Sequence, residues 1–142
     1  MFGLYNRNLM LQGMRDELTG HGFMELGTPA EVDAALADTS APTLLMINSV
    51  CGCAAGAARP GVVLSLNAEP RPARLLTVFA GQDREATERA RGHLVDQPAS
   101  SPAVALLRDG EVVFMLHRGD IEGQSPEQVA QRLRAAYATF CA

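Results

Sequence analysis

Residues Thr43–Asn48 read TLLMIN, an apolar run that begins just after Pro42 and stops at Ser49. A run of strand length with no polar alternation describes a strand buried on both faces, the kind found in parallel sheets covered by helices on each side. Arg74–Ala80 (RLLTVFA) repeats the pattern. Two such strands exclude a half-solvated antiparallel sheet and require helices above and below. The intervening sequence supplies them.

An amphipathic helix is expected over residues 4–19, with Leu4, Leu11, Met14 and Leu18 near helical spacing and Gly20-His21-Gly22 as its stop. Phe23–Leu26 reads as a brief strand. Thr28-Pro29-Ala30-Glu31 is a helix start, with Thr28 as cap, Pro29 in the first turn and Glu31 placed to reach back to the cap amide. That helix runs to about Asp38. The Ala-rich stretch up to Arg59 is expected to be helical, with Pro60 kinking or restarting it because proline lacks a backbone donor. Gln82–Leu94 reads as a polar, exposed helix. Ala103–Leu107 and Glu111–His117, joined at Asp109-Gly110, form a hairpin. Ser125-Pro126-Glu127-Gln128 carries a capping-box pattern. It opens a last helix with Val129, Leu133, Ala136 and Phe140 as its buried stripe.

These elements give an α/β architecture, a central mixed sheet flanked by helices. The order is that of a thioredoxin-like fold with an added N-terminal helix. At 142 residues the expectation is one domain, 1–142. Apolar residues make up 47% of the chain, enough for a core, but aromatics are only 5% and Trp is absent, so Ala, Val, Leu and Met must fill it. The net charge is −4 and all twelve basic residues are Arg, without the cationic clusters that nucleic-acid binding needs. No apolar stretch has membrane-spanning length. The N-terminus lacks the basic start and apolar run of a signal peptide, so a cytoplasmic location is expected.

Cys51-Gly52-Cys53 follows the first buried strand and opens a helix. Free amides and peptide dipoles at a helix N-terminus favour an anion. A thiolate is such an anion, so Cys51 should titrate low and react readily. Cys51 is expected to be the more exposed thiol, with Cys53 shielded in the first turn. An internal disulfide across one residue closes a small ring, and Gly52 gives the chain freedom to attempt it. Strained disulfides are more oxidising, which suits exchange or isomerisation better than terminal reduction. Cys141 ends the last helix, roughly 20 Å or more from its start at ~1.5 Å per residue, and is a poor partner for Cys51. Pro102, just before the hairpin, occupies the place where this fold carries a cis proline facing the redox site. Arg118, Asp120 and Glu122 lie in a loop that strand direction brings to the same sheet edge. Solvated loop charge is the first reading of them, docking of a small thiol the second. His117 ends a strand and is read as structural or solvent-facing rather than catalytic.

The segment Asn48-Ser49-Val50-Cys51-Gly52-Cys53-Ala54-Ala55-Gly56, with Ala58-Arg59-Pro60, resembles the bacilliredoxin family. Thr77-Val78-Phe79-Ala80-Gly81-Gln82-Asp83, Ser100-Ser101-Pro102 and Ile121-Glu122-Gly123 support the likeness. The resemblance implies a cytoplasmic thiol–disulfide oxidoreductase that removes bacillithiol from protein mixed disulfides, with weak disulfide isomerase behaviour. It implies Cys51 as nucleophile and Cys53 as resolving thiol, with Gly52, Ser101 and Pro102 on the substrate side. Its partners would be S-thiolated cytosolic proteins and a low-molecular-weight thiol, with bacillithiol as co-substrate and no cofactor, metal, nucleic acid or membrane.

Two other readings of the same sulfurs exist. A metal carrier would use both thiolates, although they supply half a tetrahedral shell and no further ligand lies near in sequence. A thiol peroxidase would use a low-pKa Cys51 alone. Stoichiometric zinc or copper(I) would mark the first, and rapid peroxide consumption the second.

Overall fold

The computed structural model describes residues 2–142, leaving aside the side chains of Phe2, Leu4 and Tyr5. The expected contact of Leu4 therefore lies outside the described residues. The elements in order are α1 (Phe2–Thr19), β1 (Met24–Glu25), α2 (Pro29–Ala37) and β2 (Thr43–Asn48). A π-helical turn (Ala54–Ala58) leads into α3 (Arg59–Ser65), followed by β3 (Arg74–Phe79) and α4 (Arg84–Gly92). The hairpin β4 (Ala103–Arg108) and β5 (Glu111–Leu116), the short α5 (Arg118–Ile121) and α6 (Pro126–Phe140) complete the chain.

The sheet has five strands in the order β1-β3-β2-β4-β5. β2 runs parallel to β3 and antiparallel to β4, so it is central and both its edges are bonded. Every residue of β2 is buried. Alternation along the strand divides them: Leu44 and Met46 join the core beneath α1, α3 and α6, while Leu45 and Ile47 join the one beneath α2 and α4. The mixed α/β sandwich read from the sequence is the architecture observed.

Local signals account for the boundaries. Thr28 Oγ1 accepts the Glu31 amide at 3.2 Å. Glu31 itself reaches the Gly27 amide and the Thr28 hydroxyl rather than the cap amide. Asp109 and Gly110 both have positive φ, at 54° and 81°, the geometry of a two-residue hairpin turn. Ser125 and Gln128 form the reciprocal capping box.

Three expectations need correction. The helix of residues 84–92 is not exposed all round, because Ala86, Thr87 and Ala90 bury one face. In α6 the half-buried Phe140 contributes less than Tyr137, whose ring is fully buried with its hydroxyl 2.9 Å from Ser65 Oγ. The loop after β5 is helical: the His117 amide donates to the Asp120 carboxylate at 2.9 Å and starts α5.

Candidate redox site

Cys51 stands where β2 has ended and the next helix begins. Its carbonyl accepts the Ala54 and Ala55 amides at 3.1 and 3.3 Å, the first bonds of the helical stretch. Asn48 and Ser49 are buried while Val50, directly before the cysteine, is exposed, and Ser49 Oγ accepts the Cys51 amide at 3.3 Å. The two sulfurs lie 2.9 Å apart as free thiols. Both are half-buried, so the expected contrast in exposure is not found. With one residue between them on the first helical turn, the two side chains leave from the same rim. Gly52 is exposed, and a Cβ there would meet nothing within 4 Å.

The contrast between the cysteines is electrostatic. Burial pushes the Cys51 thiol up, but the hydrogen bond shared with Cys53, the Ser49 hydroxyl, the Ala54 amide and the Arg118 charge outweigh it and bring Cys51 below the ordinary thiol range. Burial, the same shared bond and the negative charge on Cys51 hold Cys53 above it, with Arg118 opposing. When one proton is lost, it is therefore lost from Cys51. Cys141, also half-buried, is pushed up by burial and lies at the other end of α6 from that helix's cap.

The register brings Ser101 and Pro102 to this rim. The β2–β4 pairs end at Ile47 opposite Ala103. The next positions outward are Asn48 and Ser49 on one side, Pro102 and Ser101 on the other. The Ser101–Pro102 bond is cis, as expected; a second cis bond, Glu69–Pro70, was not anticipated. Arg118 covers the Ser101 carbonyl, donating from Nη1 at 3.4 Å, and its Nε donates to Glu122 at 2.6 Å. Ser100 is held in turn by its hydroxyl, which lies 3.2 Å from His117 Nδ1 and accepts the Arg118 amide at 3.3 Å. His117 also meets Gln97 at 3.0 Å, a bonded structural role in keeping with its reading.

Three site residues escaped the sequence reading. Ser49 and Asn48 looked like the end of a strand. Arg59 looked like the close of an Ala-rich helix, yet it is 2% exposed beneath the cysteine loop. A signal existed: Arg59 is a lone charge among Ala57, Ala58, Pro60 and Val62, where a solvated face would carry more than one polar residue. Among the described residues, no group of three or more Cys, His, Asp or Glu converges as metal ligands, and no helix is long and apolar enough to cross a membrane.

Comparison with known proteins agrees with this geometry. The family described as disulphide isomerase matches residues 5–141. A bacilliredoxin of Geobacillus kaustophilus is 50% identical over 99% of this chain and 94% of its own length. One from Shouchella clausii is 50% identical over 96% and 94%. One from Koribacter versatilis is 45% identical over 94% and 92%. The crystal structure of oxidized thioredoxin O2 from Arabidopsis thaliana superposes with a TM-score of 0.58 over 86% of this chain and 96% of that one. At 19% identity that likeness establishes a thioredoxin-like fold.

Proposed function

The chain belongs to the bacilliredoxin family of thiol–disulfide oxidoreductases, and from that premise we propose that it removes a low-molecular-weight thiol, bacillithiol, from cytosolic proteins that carry it as a mixed disulfide. The observation that carries this reading is the asymmetric pair: two free thiols 2.9 Å apart on one helical rim, with Cys51 shifted down and Cys53 shifted up.

The steps follow from that asymmetry. The Cys51 thiolate attacks the small-thiol sulfur of the mixed disulfide, forming a Cys51–small-thiol disulfide. The protein sulfur leaves as a thiolate and takes a proton from solvent. The adduct is then discharged by one of two nucleophiles. A second small-thiol thiolate regenerates Cys51 and releases the symmetrical disulfide of the small thiol. Alternatively Cys53, deprotonated as it attacks, closes a Cys51–Cys53 disulfide and expels the small thiol. Two further thiols of low molecular weight then reopen that bond, returning both cysteines to the reduced state.

The high position of Cys53 favours the first step, because a neutral neighbour leaves the single negative charge on Cys51. Gly52 adds no side chain between the two cysteines, and the space at its own position is empty. Strand register puts Ser101 and cis-Pro102 at the sheet edge where Cys51 follows β2, the side on which a bound chain would lie.

Mass spectrometry after incubation with a bacillithiolated protein tests the assignment. Cys53→Ser is expected to capture the adduct and accumulate it, and Cys51→Ser to capture none. Equal adduct on both variants would mean the roles are interchangeable and the assignment is wrong.

A further inference from the structure

We infer that Arg59 is a positioning residue for Cys51, holding the strand end so that the Ser49 hydroxyl stays on the Cys51 amide, and that α1 is part of the active site through it. The inference rests on Cys51 being the attacking thiol.

The geometry begins with the helix. From Ala54 to Ala58 the backbone makes a π turn, closed by the Arg59 amide on the Ala54 carbonyl. Pro60 follows directly and has no amide to give. A π turn accommodates one extra residue, and one residue of helix is about 100° of rotation. Arg59, the first residue after it, therefore starts α3 with a changed heading. Its side chain runs inward under the cysteine loop.

There Arg59 Nη1 donates to the Ser49 carbonyl at 2.7 Å and to Asn48 Oδ1 at 3.0 Å. Its Nε pairs with Glu17 on α1. Asn48 lies on the same face as Leu44 and Met46, as strand alternation requires, and donates from Nδ2 to the Met14 carbonyl of α1 at 3.2 Å. Its Oδ1 also accepts the Ser49 amide at 2.9 Å. Ser49 is thus fixed at its amide and at its carbonyl. Its hydroxyl is the remaining polar group, and it accepts the Cys51 amide.

The helix α1 is anchored without Arg59. Leu18 is fully buried, and Arg15 pairs with Asp83 and Glu25 at 2.8 and 3.0 Å. Loss of the Glu17 pair therefore loosens Arg59 and not α1. The charged and titratable groups around Cys51 are Cys53 on its own turn, Arg118 at the start of α5 and Glu122 just past its end, with Arg59 and Glu17 below the loop. Arg59 is the one that reaches Cys51 through Ser49.

The test is the rate of iodoacetamide capture at Cys51, located by peptide mapping, across about pH 5 to 9 on the reduced full-length chain. The variants are Ser49→Ala, Arg59→Lys, Glu17→Gln and the double variant Ser49→Ala/Arg59→Lys. Lysine keeps the charge but cannot hold carbonyl, amide oxygen and carboxylate in one fork. Ser49→Ala and Arg59→Lys are each expected to move the midpoint upward and slow capture near neutral pH by roughly threefold to fivefold, about the worth of one hydrogen bond. The plateau at high pH should not change. The double variant should be no slower than Ser49→Ala.

An unmoved midpoint in Arg59→Lys, whatever its melting temperature, would reduce Arg59 to structural support and overturn the inference. So would a double variant slowed by the product of the two single effects, which would mean that Arg59 acts separately from Ser49. If Arg59→Lys does not fold, Glu17→Gln alone and combined with Ser49→Ala makes the same comparison. Alkylation needs no disulfide substrate, so this outcome is separate from that of the adduct-transfer experiment.

Discussion

Two arginines attend the same pair of sulfurs from opposite surroundings. Arg59 is 2% exposed, and its guanidinium meets a carbonyl, an amide oxygen and a carboxylate. The Arg118 side chain is 47% exposed, paired to a carboxylate that is itself 55% exposed. A buried cation must be matched donor by donor, because any unmatched group there loses its hydration without return. It therefore fixes geometry. An exposed cation keeps its water, is screened by salt and contributes field rather than shape. One site thus separates holding the nucleophile from biasing its charge.

The largest expected effect breaks the holding side. Arg59→Ala leaves the Ser49 carbonyl and the Asn48 side chain short of a donor in a buried place, and urea unfolding should show a loss of about 3 kcal/mol. A loss below about 1 kcal/mol would mean that the network is replaceable by water.

A second buried polar pair, Ser65 and Tyr137, which shares no hydrogen bond with Cys51 or Cys53, supplies the control. Burial pushes the Tyr137 hydroxyl up to about 12 against the opposing bond with Ser65. A folded value above the unfolded value of about 10 means that the contribution is complete below pH 10 and fades as pH rises through 12. Stability should fall by about 2–3 kcal/mol across that window. In Tyr137→Phe the slope should vanish while alkylation of Cys51 is unchanged. A Tyr137→Phe protein with altered Cys51 reactivity would blur the line between stabilising and positioning.

The cysteines themselves give the next contrast. Limited alkylation near pH 7 should label Cys51 ahead of Cys53, because the thiol that is shifted down holds the larger share of thiolate. Preferential labelling of Cys53 would reverse the electrostatic assignment.

The smallest effect belongs to the exposed cation. Arg118 lowers Cys51, so Arg118→Gln should move the midpoint upward and slow capture about twofold in dilute buffer. The difference should disappear near 1 M salt, where the Debye length is about 3 Å. An effect that survives salt would place Arg118 with Arg59, as a geometric element.

What could be read in the sequence was what is local. The run Thr43–Asn48 carries its own burial, and Thr28, Ser125 and Asp109-Gly110 carry their own turn chemistry. Cys51 declares itself by following a strand and preceding a helix. What could not be read depends on partners distant in sequence. Arg59 is a surface residue by default, and only Glu17, 42 residues away, and the strand end ten residues before it make burial affordable. The π turn left no mark in a stretch of Ala and Gly that suits an α-helix equally well. The short α5 depends on Asp120 bonding back to the His117 amide, a contact its polar composition resembles but does not compel. The equal exposure of the two thiols follows from both sulfurs sharing the rim of one turn.

The π turn has a consequence for portability. A Cys-Gly-Cys tripeptide transplanted into another thioredoxin-like scaffold would bring the sulfurs but not the extra helical residue, and without it the arginine that supports them would face elsewhere. The smallest unit that can be moved intact is the continuous piece from Asn48 to Pro60, together with a carboxylate placed as Glu17 is on a helix the recipient must already own. Grafts of increasing length into such a scaffold should gain selective reactivity at the first cysteine abruptly, at the length that first includes Arg59, rather than in proportion to the residues copied.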